Sequence, residues 1–151
     1  ADLEGRPTLA AAEALVAAAR AGLELVLVSG RTGEQLRETG RLVGARDAIG
    51  ELGTVLVRGR DIEVRWGEAP RDLGTTPAEA LERSGALGAL LAGFAGRLEP
   101  HAPWHLGRRG TALLRGQVDA AEADALLAAR GLGWARLLDN GRLGGPFCIR
   151  L

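Results

Sequence analysis

Ser29, Gly30 and Arg31 are the residues of this sequence whose types and spacing best fit the binding of an anion. They follow directly after the apolar run LELVLV, residues 23–28. A serine hydroxyl and backbone N–H groups bind phosphate oxygens, and glycine lets a ligand approach the backbone closely. Arginine adds a planar, permanently charged donor that matches phosphate. These residues predict an anion site; the alternative interpretation is that the Ser-Gly pair only forms a turn.

The elements around this tripeptide predict an α/β core. Residues 8–21 are rich in strong helix formers, and Gly22 stands where a C-terminal cap belongs. Residues 23–28 are too few for a helix and predict a strand buried on both faces of a parallel sheet. Helical spacing returns over residues 32–43, followed by a short strand at Ala48-Ile49. Ligands of open α/β sheets bind outside the carboxyl ends of the strands, which is where Ser29 falls. The inward positions predicted for the second helix are Leu36, Leu42 and Val43.

The pattern changes after Gly53, which predicts a second part. Residues 54–66 alternate in polarity and predict a hairpin, and residues 77–97 predict a helix interrupted at Gly85. A strand in TALLRG and a helix that begins at Asp119 follow. Asp139-Asn140-Gly141 is typical of a hairpin turn, and FCIRL predicts a last strand. We therefore predict a core over residues 1–53 and, over residues 54–151, a small antiparallel sheet with two helices on one face.

Composition excludes several functional classes. The chain has 151 residues, with 19 basic and 19 acidic side chains and a formal net charge of zero. This balance gives no electrostatic reason to expect a nucleic acid or an anionic membrane as partner. Cys148 is the only cysteine, so an internal disulfide is excluded, and its apolar strand predicts a buried thiol. No secretory signal opens the chain and no apolar run approaches the roughly 18 residues of a membrane span. We expect a cytoplasmic protein.

The order of these motifs resembles the haloacid dehalogenase superfamily of phosphohydrolases. A helix ends in glycine, an apolar strand ends in Ser-Gly-Arg, and after a further helix the segment AIGELG resembles the I-x-E-N-G stretch where such proteins enter a large α/β cap. Leu52 stands where asparagine is common in that family. The likeness covers nearly the whole chain and is greatest to sugar-phosphate and mannosyl-3-phosphoglycerate phosphatases. It implies a partial Rossmann-like core, residues 1–53, and an α+β cap, residues 54–151.

The resemblance implies roles for particular residues. The Ser29 hydroxyl would bond the substrate phosphoryl group, and Gly30 and Arg31 would line the phosphate pocket. The family's nucleophile is the first aspartate of a D-x-D-G motif, for which Asp2 in Asp2-Leu3-Glu4-Gly5 is a candidate; the alternative is an edited or ragged terminus. The basic third motif and the acidic residues that bind Mg²⁺ would lie beyond Leu151. We therefore expect a fragment that is inactive alone and exposes an apolar edge.

The segment EPHAPWHLGRRG supplies the candidate substrate contacts of the cap. His101, His105, Arg108 and Arg109 fall within this one loop and could contact the leaving group of a phosphorylated substrate. The alternative is a surface loop whose Trp104 packs into the cap core while its arginines are solvated. A His-x-x-x-His metal site would require a helical loop, which the proline between the histidines disfavours.

The resemblance thus implies a Mg²⁺-dependent phosphatase for a small phosphorylated metabolite such as a sugar phosphate or phosphoglycerate derivative, with the metal bound mainly outside this chain. The alternative is a non-catalytic α/β module that binds a ligand or a partner on the same scaffold. Neither the substrate nor the oligomeric state follows from the residues.

Overall fold

A computed structural model describes residues 9–142 and 148–150 and divides them between two four-stranded sheets with flanking helices. The protein is thus of mixed α/β class, as predicted. Asp2 lies outside the described residues. Among the residues that are described, no helix is long and apolar enough to cross a membrane.

The first sheet has the order β1-β2-β3-β4. Its strands and helices are α1 Ala10–Arg20, β1 Val26–Val28, α2 Gly33–Val43, β2 Asp47–Gly50, β3 Val55–Arg58 and β4 Asp61–Val64. Strands β1 and β2 are parallel and joined through α2, which confirms the predicted strand-helix-strand unit. Strands β3 and β4 continue the sheet in antiparallel pairing.

The hairpin β3–β4 belongs to this first sheet and not to the second part. Gly50 pairs with Val55, because the short 3-10 turn Glu51–Gly53 reverses the chain at once. Glu51 and Leu52 adopt φ angles of 46° and 59°, which are uncommon for residues other than glycine. The boundary predicted after residue 53 therefore falls between two hydrogen-bonded strands.

Helix α2 is defined at both ends by its sequence. The Thr32 side chain accepts from the Gln35 N–H, and the Gln35 side chain accepts from the Thr32 N–H, which completes a capping box. Gly44 ends the helix in the left-handed conformation. Leu36 is buried with Ala48 and Val57, as expected for a residue facing the sheet.

Two burial predictions for this part are wrong. Leu42 was predicted to face inward and is 86% exposed, because the buried stripe of α2 passes through Leu36 and Gly40. The strand β1 was predicted to be buried on both faces, but Val26 and Val28 are 53% and 74% exposed. Helix α1 contributes no buried side chain that could cover them.

The second part is an antiparallel sheet of order β5-β6-β8-β7 with three helices. Its elements are α3 Pro77–Arg83, α4 Ala86–Gly93, β5 Leu98–Pro100, β6 Leu114–Gly116, α5 Ala120–Ala129, β7 Asp139–Arg142 and β8 Cys148–Arg150. The predicted interruption at Gly85 separates α3 from α4, and Asp119 caps α5 by accepting from Ala121 and Glu122. The sequence did not reveal β5, which is only three residues long and contains a proline.

The turn predicted at Asp139-Asn140-Gly141 is wrong. These residues lie within β7, where the register with β8 shifts between Asp139 and Arg142. The bulge accommodates the Asn-Gly pair inside the strand. The connection between β7 and β8 falls in residues 143–147, outside the described residues, as does the side chain of Cys148.

The larger core belongs to the second part. It is built by side chains from α4, α5 and the strands, with Phe94, Leu114 and Leu127 among its largest members. Its buried residues are Ala86, Leu90, Phe94, Leu98, Leu114, Val118, Ala123, Leu127, Ala135 and Leu137.

Candidate functional site

The loop Ser29–Arg31, termed here the strand-end loop, leaves the carboxyl end of β1 and leads into α2. Its first residue extends the parallel pairing, since the Ser29 N–H donates to the Ile49 carbonyl at 3.0 Å. The Ser29 Oγ accepts from the Arg31 N–H at 3.4 Å. Because a hydroxyl both accepts and donates, the Ser29 proton remains available for a ligand oxygen.

The backbone of the strand-end loop is oriented by two inward bonds. The Gly30 carbonyl accepts from Arg108 Nη1 at 3.0 Å, and the Arg31 carbonyl accepts from the Glu51 N–H at 3.2 Å. Within the described part of the chain, the Gly30 N–H has no hydrogen-bond partner and the exposed Arg31 side chain has neither a hydrogen bond nor an ion pair. With the amino end of α2 beside them, these donors form an arrangement suited to an anion.

Glu51 is the centre of the contact between the strand-end loop and the second part. Its side chain is 0% exposed. Its carboxylate accepts from the backbone N–H groups of Arg109, Gly110 and Thr111, the shortest of these bonds being 2.9 Å, and from the Thr111 hydroxyl at 3.2 Å. A buried carboxylate is tolerated when its oxygens are satisfied in this way. Residues 108–111, named here the docking turn, are thereby held against the first sheet.

Arg108 completes this contact from the other side. Its side chain is 3% exposed, and its Nε lies 3.7 Å from Glu51 Oε2. Nε and Nη2 donate to the Thr111 hydroxyl at 3.0 and 2.8 Å. Burial lowers the pKa of Arg108, while the charge of Glu51 acts in the opposite direction. Sequence predicted either a substrate contact or a solvated arginine; the guanidinium is instead buried among protein partners.

The close approach of the docking turn depends on Gly110. A Cβ atom placed on Gly110 would collide with the side chain of Thr54, which follows the 3-10 turn of the first sheet. The Thr54 hydroxyl is itself fixed by donating to the Glu51 carbonyl at 2.6 Å. A side chain at position 110 would therefore separate the turn from the carboxylate that holds it.

Arg109 forms a second link, at the surface. Its Nη2 lies 2.7 Å from Oε1 of Glu34, in the first turn of α2, and both side chains are more than 40% exposed. Arg109, another predicted substrate contact, is therefore paired with a carboxylate beside the strand-end loop. An exposed pair of this kind contributes little to stability.

The two predicted histidines lie on one turn, apart from these links. The His105 N–H donates to the His101 carbonyl at 2.9 Å, which closes a single turn around Pro103 and does not form a helix. Neither Nδ1 atom has a hydrogen-bond partner within the described residues. Burial lowers the pKa of His101, and the nearby Arg115 and His105 lower it further. Trp104 is 56% exposed, so it does not pack into the core as the alternative interpretation required.

The described residues do not fit a Mg²⁺ ion. They contain no group of three or more histidine, cysteine, aspartate or glutamate side chains that could hold a metal. The two carboxylates tied to the docking turn, Glu34 and Glu51, are both paired with arginines. The metal implied by the resemblance would need ligands from elsewhere, and Asp2 falls outside the described residues.

An apolar cavity of about 370 Å³ opens next to the docking turn. It reaches from Trp66 and Leu52, near the first sheet, to Leu90, Leu127 and Trp134 in the second part. The lining of this cavity is mainly apolar, whereas the strand-end loop is polar. The cavity and the loop therefore do not suit the same kind of ligand.

Glu51 is the residue that sequence reasoning missed. In the sequence, Glu51 is one residue of the segment AIGELG. The sequence shows only a single acidic residue between a strand and a hairpin. Such a residue is ordinarily expected to lie in a solvent-exposed turn. Its four donors are 58 to 60 residues away in the chain, so no local pattern reveals them.

No protein-family model matches the chain, and no curated protein sequence matches it. The class of protein is therefore defined by the geometry alone. It is a mixed α/β chain whose first sheet presents a loop compatible with an anion. The docking turn of a second α/β part lies beside this loop.

Proposed function

We propose that this chain is the phosphate-contacting segment and the cap of a haloacid dehalogenase-type phosphatase that acts on a small phosphorylated metabolite. The partial Rossmann-like core would be the first sheet with α1 and α2, and the cap would be the second part. We further propose a cytoplasmic location, supported by the lone cysteine.

The docking of the second part beside the carboxyl end of β1 carries this proposal. Ligands of open α/β sheets bind at that end of the strands, and here a turn from the second part bonds to the loop itself through Gly30. A substrate phosphate at Ser29 would thus lie next to the part that would contact the rest of the molecule. Within the described part of the chain, the exposed Arg31 side chain and the Gly30 N–H have no protein partner, which leaves both donors available to an anion.

The described residues would bind and orient the phosphate. Ser29 would donate its hydroxyl proton to a phosphoryl oxygen, the Gly30 N–H would donate to a second, and Arg31 would attract the charge in ground and transition states alike. The Mg²⁺ that the resemblance implies would be bound by residues other than the described ones. The candidate nucleophile Asp2 lies outside the described residues.

Replacement of Ser29 by alanine tests the proposal in the full-length protein. A preorganised donor to a developing charge is worth roughly 100-fold or more in rate, so Ser29→Ala should lower turnover of phosphate esters about 100-fold. The melting temperature should hardly change, because only one small exposed hydroxyl is removed. Ser84→Ala, in the second part, is the matched control and should retain activity. A Ser29→Ala protein that loses its fold, while its folded fraction keeps full activity, would make Ser29 a turn residue only.

The second candidate is a non-catalytic module that binds a ligand or a partner. It is favoured by the ion pairs of Glu34 and Glu51, which leave neither carboxylate free for acid-base work. Assays of the full-length protein with Mg²⁺ and a broad set of phosphate monoesters separate the two candidates. Phosphate binding without turnover of any ester would favour the module.

A further inference from the structure

We propose that Glu51 and Arg108 form a positioning pair, which couples the docking of the second part to the anion-binding shape of the strand-end loop. Neither side chain would touch the anion. The proposal rests on the proposed function in one respect only: that the strand-end loop binds phosphate.

The pair holds two of the three carbonyls of the strand-end loop, those of Gly30 and Arg31. Arg108 Nη1 donates to the Gly30 carbonyl, and the Glu51 N–H donates to the Arg31 carbonyl. In a trans peptide the carbonyl of one residue and the N–H of the next point in opposite directions, so these bonds orient the Arg31 and Thr32 N–H groups, which donate to Ser29 Oγ and Gln35 Oε1. Fixing the Gly30 and Arg31 carbonyls inward therefore keeps these two oxygens from facing an anion.

Glu51 and Arg108 also depend on each other. Glu51 has φ of 46°, a strained conformation that persists only where its surroundings fix it. Its carboxylate is fixed by the docking turn, and the turn's Arg108 is fixed by that carboxylate and by Thr111. Loss of either partner would release the turn from the loop.

Position 108 requires an arginine. The guanidinium reaches Gly30 through Nη1 and Thr111 through Nε and Nη2 at the same time, while it faces Glu51. A lysine keeps the charge but has a single ammonium group, which cannot reproduce this fork. Arg109 provides a matched comparison, because its guanidinium pairs with Glu34 and makes no bond to the strand-end loop.

Phosphate titrations of Arg108→Lys and Arg109→Lys test the coupling without changing net charge. Inorganic phosphate is added to ¹⁵N-labelled full-length protein, and the shifts of the Gly30 and Arg31 amides give the affinity. Coupling between sites commonly spans 5- to 150-fold, so we expect Arg108→Lys to weaken phosphate binding about tenfold. Arg109→Lys should stay within about twofold of the wild type. Equal affinities in the wild type and a folded Arg108→Lys protein would overturn the proposal.

Amide hydrogen exchange supplies a readout that does not need the ligand. In Arg108→Lys, exchange at the Ser29 and Glu51 N–H groups should accelerate at least about tenfold, while the pairing of β3 with β4 keeps its protection. If wild-type protein fails to bind phosphate, the proposed function fails, and this exchange pattern still decides whether the pair positions the loop. Unchanged exchange at the Ser29 and Glu51 N–H groups would sink the positioning role.

Thr111→Val provides a milder variant if Arg108→Lys does not fold. It removes the hydroxyl that accepts from Arg108 and donates to Glu51, with little change in volume. We expect a smaller acceleration at the same amides and a smaller loss of phosphate affinity. Uniform loss of protection across the first sheet in both variants would show a general structural role and overturn the inference.

Discussion

The two parts of the molecule bury their apolar residues very differently. Among the described residues, ten are buried in the core of the second part, including Phe94 and Leu127, whereas the buried cluster in the first part consists of Leu36, Ala48 and Val57. Several large apolar side chains of the first part are instead exposed: Leu9, Val16, Leu23, Val26 and Val28. The difference teaches that the first sheet depends on contacts other than its own core, and the buried contact through Glu51 is one of them.

The largest effect should come from removing Glu51. Glu51→Ala leaves the Arg108 guanidinium buried without its carboxylate and leaves three backbone N–H groups of the docking turn without their acceptor. Breaking a buried pair by removing one partner costs about 3–5 kcal/mol. Urea unfolding measures the change in free energy. Glu34→Ala, at the exposed pair with Arg109, should cost no more than about 1 kcal/mol. Equal losses of unfolding free energy in the two variants would mean that the buried contact stabilises the protein no more than the exposed pair does.

Leucine deletions compare the two cores directly. Leu127→Ala should lower the free energy of unfolding by about 2–5 kcal/mol, because Leu127 is fully buried in the larger core. Leu36→Ala should fall at the low end of that range, since the smaller cluster around it can relax into the space. Leu42→Ala, on the same helix as Leu36, should change stability by no more than about 0.5 kcal/mol. A larger loss for Leu36→Ala than for Leu127→Ala would reverse the ranking of the cores.

The exposed apolar face of the first part predicts an effect on association more than on stability. The strand β1 is at the end of its sheet, and Val26 and Val28 project from it into solvent. Unpaired, apolar edge strands promote association. Val28→Lys should therefore reduce self-association in sedimentation velocity, while the melting temperature changes little. Leu42→Lys places the same charge on α2, away from the edge, and should have no such effect. Identical sedimentation of wild type and Val28→Lys at high concentration would contradict this.

Local signals in the sequence predicted much of the first part and little of the site. Helix α2, the parallel β1–β2 pair and the break at Gly85 follow from periodicity and from glycine at element ends. The role of Glu51 does not, because its partners are provided by a turn far along the chain. Arg108 is a second example of a contact that the sequence does not reveal. Its residue type indicated a contact with an anion, but in the fold its guanidinium is buried against Glu51 and the Gly30 carbonyl. The Asn-Gly signal failed for a related reason, since pairing with β8 overrode the local turn preference.

The smallest predicted effect concerns His101 and tests whether the histidine turn matters to the second part. Its pKa lies below the ordinary value of 6.5, mainly because burial disfavours the charged ring, with Arg115 and His105 adding repulsion. Between the lowered pKa and 6.5, the unfolded chain binds more protons than the folded one, so stability falls as the pH drops through 6.5 and the loss is complete below the folded pKa. NMR titration of the ring proton should give a value for His101 below 6.5. His101→Gln should show a smaller difference in melting temperature between pH 7.5 and pH 5.5 than the wild type. An observed pKa at or above 6.5 would show that the ring is solvated, and the pH dependence would then have to arise from other groups.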